Sequence, residues 1–118
     1  VVGTKPTDRL TERLEAAIVS LLKRDGRLTY PTLLVELGML SSSNLDEWRA
    51  GRVPYLERVV TGNLTKLARI QKGVRRGARK RGLQRRVEGR ERKVRFSKTG
   101  NPFIEEEYSA VYSFLGGR

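Results

Sequence analysis

The sequence predicts a mainly α fold: a small helical bundle over residues 1–71, a basic extension over 72–98, and a C-terminal amphipathic helix over 99–118. Three observations predict it. Leu10, Leu14, Ala17, Ile18, Leu21 and Leu22 recur at helical spacing near the start, and Ile104, Tyr108, Val111, Tyr112 and Leu115 do so near the end. Between them lies a segment of 27 residues with 13 basic and 2 acidic side chains, which holds +11 of the whole net charge of +12.

The elements follow in order. Residues 8–24 form the first helix, capped by Thr7 or Asp8 and closed by Gly26. Residues 30–37, "YPTLLVEL", form a second, with Pro31 in its first turn and Gly38 at its end. Residues 44–49, "NLDEWR", form a third, and Ser43 with Asp46 resembles a capping box. The helix restarts over 54–61 behind Pro54, with Leu56, Val59 and Val60 as core candidates. Leu64, Leu67, Ala68, Gln71 and Val74 carry the stripe on. Beyond Gly73 it weakens, because Gly77 and Gly82 each cost about 1 kcal/mol relative to Ala. From residue 83 the period changes, and "KVRFS" before "KTGNP" allows a short β-hairpin over roughly 84–97. The acidic first turn of the final helix, "EEE" at 105–107, suits the helix dipole.

Composition excludes whole classes of chemistry. The chain has no Cys and no His, which removes thiolate and imidazole metal sites and the Ser-His-Asp arrangement. No phosphate-loop pattern occurs, and no spacing selects a catalytic set from the Lys, Glu and Tyr present. The expectation is a binding protein and not an enzyme, with no cofactor and no metal. No apolar run reaches the roughly 18 residues of a membrane span, so no membrane partner is expected and the cytoplasm or nucleoid is the expected location. A first residue other than Met suggests that an upstream part is missing or was processed.

Residues 30–49 suggest how such a protein selects a target. Leu33, Leu34 and Leu37 anchor one helix, Met39 or Leu40 plugs a turn, and Leu45 and Trp48 anchor the next. That is the pattern of a helix-turn-helix-like unit, whose second helix presents its outer face to a DNA groove. "GMLSSSNLDEWRAGRVPYLERVV" resembles the core of phage-repressor-type helix-turn-helix domains. Trp48, Gly51, Arg52 and Pro54 match the end of that family's recognition helix, and the likeness covers residues 10–71. It departs from the pattern in a turn one residue longer and in Leu34 where the family carries alanine. The resemblance implies DNA binding. Ser43, Asn44, Arg49 and Arg52 are then the groove-facing candidates, since Asn can read adenine and Arg can read guanine or hold phosphate.

The basic extension supplies the grip. Its candidates are Lys72, Arg75, Arg76, Arg79, Lys80, Arg81, Arg85, Arg86, Arg90, Arg92, Lys93 and Arg95. Arg offers a planar fork for phosphate oxygens, and the glycines at 73, 77, 82 and 89 allow close backbone approach. The expected function is DNA binding, as in a transcriptional regulator, by a helix-turn-helix-like reader with an Arg-rich phosphate grip. RNA binding, as in a ribonucleoprotein component, is the first alternative. An assembly protein whose arm binds an acidic partner is the second. The C-terminal helix is a candidate for forming a homo-oligomer.

Overall fold

The computed structural model describes residues 9–87 and 95–114, the side chain of Leu64 excepted. Helix α1, Arg9–Asp25, buries Leu14, Ala17, Ile18 and Leu21 of the stripe its spacing predicts, with Leu10 and Leu22 partly buried beside them. Gly26 ends it at φ 73°. The next three residues, Arg27–Thr29, form a strand, β1, that the sequence reading did not contain. Helix α2, Tyr30–Glu36, has Pro31 in its first turn, and Gly38 reverses the chain at φ 79°.

Helix α3, Ser42–Arg49, begins two residues before the expected start. Its cap is Ser41 rather than Ser43: Ser41 is extended, and its Oγ accepts the Asn44 N–H at 3.0 Å. Leu33, Leu34, Leu37, Met39, Leu40, Leu45 and Trp48 are all buried. The helix expected over 54–61 is only a 3-10 turn, Leu56–Val59. The Leu56 and Glu57 amides donate to the Arg95 and Phe96 carbonyls at 2.9 and 3.0 Å, so tertiary partners take the place of intrahelical ones.

Helix α4, Leu64–Arg81, runs straight through Gly73 and Gly77. Both glycines face α1. A Cβ at Gly73 would lie 2.3 Å from Leu14 Cδ2, and one at Gly77 would lie 3.1 Å from Ile18 Cδ1. The helix therefore gives up propensity at two positions to lie close against its neighbour. Gly73→Val should destabilise the fold by about 2 kcal/mol, since overpacking outweighs the small propensity gain. Urea unfolding followed by circular dichroism checks this; an unchanged midpoint would mean that α1 gives way without cost.

Strand β2, Leu83–Val87, is followed by helix α5, Pro102–Tyr108, and strand β3, Ala110–Phe114. Strand β3 is central in a three-stranded antiparallel sheet of order β1-β3-β2. It places Leu28 opposite Tyr112 on one side and Arg85 opposite Tyr112 on the other. This corrects the mainly α fold class and its small helical bundle. The described residues form five α-helices with a three-stranded antiparallel sheet, a mixed α and β fold, and α2 and α3 pack into the same core as that sheet. One buried cluster takes in side chains from Leu14 through Val74 and Phe96 to Tyr112.

Two further expectations are corrected with it. The C-terminal amphipathic helix stops at Tyr108, and "AVYSF" is strand. Ala110, Val111 and Tyr112 are buried in succession, as in a strand covered on both faces, where no alternation marks the element. Leu115 lies outside the described residues. The hairpin over 84–97 is not formed as expected: β2 pairs with β3, and 95–97 is not strand. The Arg95 carbonyl accepts from Leu56 and from Trp48 Nε1, while the Phe96 and Ser97 amides go to the Glu105 carboxylate, which leaves no ladder to form. Among the described residues no helix is long and apolar enough to cross a membrane.

Candidate nucleic-acid interface

Helix α4 is the scaffold of the charged surface. Asn63 caps it, its Oδ1 accepting the Lys66 N–H at 2.8 Å. Gly82, at φ 68°, closes it with its N–H on the Ala78 and Arg79 carbonyls. The 18 residues include eight Lys and Arg and no Asp or Glu. Arg79, Lys80 and Arg81 suit the C-terminal end of the dipole. Elsewhere the pattern works against the helix. Lys72–Arg76, Arg75–Arg79 and Arg76–Lys80 are like charges at i,i+4, each costing a few tenths of a kcal/mol.

The cations divide by what they touch. Arg81 Nη2 binds Glu15 Oε1 on α1 at 2.6 Å. That hydrogen bond holds the Glu15 carboxyl below its ordinary range, against the opposing effect of its partial burial. Arg75 and Arg85 both reach Glu107 of α5, at 3.3 and 3.4 Å. Tyr30 OH donates to the same carboxylate at 2.9 Å; burial, then the charge of Glu107, pushes its pKa up and keeps the proton in place. Arg52 forks onto Glu47 at 2.8 and 3.1 Å. Arg95 donates to the Lys98 carbonyl and lies over Gly100, so its side chain ties its own loop.

Lys72, Arg76, Arg79 and Lys80 differ from all of these. They are exposed on α4, and none forms a hydrogen bond or ion pair within 4 Å among the described residues. Lys80 acts only at longer range, helping to lower the Glu15 pKa. Comparison with family models, characterised proteins and solved structures gave no match. The site must therefore be read from its own chemistry.

Of the other residues singled out in the sequence, Ser43 and Arg49 are exposed and Asn44 is half-buried, all on α3. Asp46 is exposed beside them, and Glu47 is occupied by Arg52, so this helix offers no net positive face. Arg86 is exposed on β2. Arg90, Arg92 and Lys93 lie outside the described residues. Trp48 is buried at 4% exposure, its ring 4.9 Å from Phe96, and serves as a core anchor. Among the described residues no cluster of three or more acidic side chains could hold a metal.

Sequence reasoning missed Lys66 and Arg69, which continue the charged side of α4 toward its start. Their spacing of three and then three to Lys72 and four to Arg76 is legible once the helix is known to begin at Leu64. The anchoring roles of Glu15 and Glu107 left no local signal, because their partners stand 66 and 32 residues away.

Proposed function

We propose that the protein binds nucleic acid through the phosphate backbone, with α4 as the principal grip. The observation that carries this reading is the set Lys72, Arg76, Arg79 and Lys80. These cations crowd one helix face without a counter-charge on that helix. Fold stability gains nothing from such crowding, whereas a polyanion relieves it and releases counterions. Arg75, Arg81 and Arg85, by contrast, are engaged by carboxylates and serve first to hold α4 and β2 to α1 and α5. Base selection through α3 is a minor part of this reading, since Asp46 would repel nearby phosphate. Binding is accordingly sequence-tolerant.

Equilibrium binding to labelled nucleic acid across a salt series is the test. Log affinity should fall linearly with log salt, by about 0.7 to 0.9 per phosphate neutralised. Oligonucleotides of unrelated sequence should bind within a few-fold of one another. No binding at low salt would end the nucleic-acid reading and favour an acidic protein partner for the same face.

A further inference from the structure

Helices α1 and α4 are pressed together at Gly73 and Gly77, and a crevice runs along the seam between their first halves. It consists of two cavities of about 490 and 290 Å³ that share Leu10 and Arg69. Six cations line it: Arg9 and Arg13 from α1, and Lys66, Arg69, Lys72 and Arg76 from α4. The carboxylate among its lining residues is Glu15, already held by Arg81 at 2.6 Å. Leu10 and Leu14 supply an apolar lining, and Thr11 and Thr65 add hydroxyls at the walls.

From this geometry we infer that the α1–α4 crevice is a track for a single-stranded nucleic-acid chain. Its phosphates lie on the two rows of cations, and its sugars lie against the leucines. The inference rests on the nucleic-acid reading above and names the substrate class for that surface. Charge complementarity selects a polyanion, and shape selects among polyanions. Duplex DNA receives a protruding helix into its major groove. Helix α4 is seated against α1 by its glycines, and six cations line the concave seam between the two helices. Helices in contact lie about 8–10 Å apart, which leaves a furrow that one strand can enter and a duplex can only bridge. No aromatic side chain lines the crevice among the described residues, so bases contribute little stacking and the strand is held irrespective of its sequence.

Arg9→Glu and Thr65→Glu provide the test. Each puts a carboxylate into the crevice at a helix N-terminal turn, where the dipole favours it, so folding is retained. The full chain is titrated with single-stranded DNA, single-stranded RNA and duplex DNA of equal length. The expected result is tighter binding of both single strands than of duplex, and a loss of about tenfold in each variant. Preference for one sugar identifies which strand the crevice takes, and either fits the inference. If wild type binds but duplex competes as well as single strands, or the two variants bind as wild type does, the crevice is not the track while the α4 reading stands. If wild type binds none of the three, both readings fall together.

Discussion

Glu105→Ala should lower the unfolding free energy by about 3 kcal/mol, the largest stability effect expected of a polar side chain in this protein. Glu105 is 6% exposed and accepts three donors from one loop. These are the Phe96 N–H at 2.9 Å, the Ser97 N–H at 2.8 Å and the Ser97 Oγ at 2.8 Å. Alanine would strand two buried amides and a hydroxyl at once. The effect reaches further than the loop, because the Arg95 carbonyl accepts from Trp48 Nε1 at 2.7 Å and the Arg95 and Phe96 carbonyls hold the 3-10 turn. Glu105→Gln keeps one acceptor oxygen and should lose about half as much. In urea the midpoint for the alanine variant should fall by about 1–2 M, with an altered Trp48 emission in the folded baseline. A loss under about 1 kcal/mol would show that solvent satisfies these amides once the carboxylate is gone.

The second large effect concerns binding. Lys72→Glu, Arg76→Glu and Arg79→Gln combined should weaken nucleic-acid binding at least about 100-fold near 0.1 M salt. Two contacts become repulsive and a third is lost, together roughly 3 kcal/mol or more. The fold should be untouched. None of the three side chains has a hydrogen-bonded or ion-paired partner among the described residues, and Arg76→Glu sets a carboxylate at a favourable i,i+4 spacing before Lys80. Glutamine at 79 avoids placing a negative charge near the helix C-terminus. The matched control on α3, Asn44→Ala with Arg49→Gln, should change affinity less than about threefold. The reverse result, with α3 sensitive and α4 silent, would return recognition to α3 and overturn the assignment of the grip to α4. Equal thermal melts of all variants secure either comparison.

Much of the helical part was legible because amphipathic helices write their period locally. The stripe of α1 and the anchors Leu33, Leu37, Leu45 and Trp48 are buried as their spacing predicts. The concentration of charge was also plain, since it depends on composition alone. Charge density did not reveal which cations are engaged. Arg75, Arg76 and Arg79 read alike in sequence, yet Arg75 meets Glu107 while the other two are exposed without such a partner among the described residues.

The strands were the main loss, and each was lost for a physical reason. Strand β1 has three residues, too few for any period to show. Strand β3 is covered on both faces, so Ala110, Val111 and Tyr112 are buried in a row. A helical stripe through Tyr108, Val111 and Tyr112 fits the same residues. Propensity cannot separate these alternatives, and pairing with β1 and β2 does. The glycines misled in a similar way. Gly73 and Gly77 suggested a weakened helix and approach to a nucleic-acid backbone, but their missing side chains serve contact with Leu14 and Ile18.

The amino-acid order by itself determined the helices of the first fifty residues with most of their buried anchors, the exclusion of thiol and imidazole chemistry, and the location of the excess charge. These follow from nearest neighbours along the chain and from composition. The tertiary structure alone decided the sheet, the capture of Arg75, Arg81 and Arg85 by distant carboxylates, and the concave cationic crevice between α1 and α4. Each of these joins residues tens of positions apart, where the energy lies in a contact between elements and leaves no periodic trace in either one.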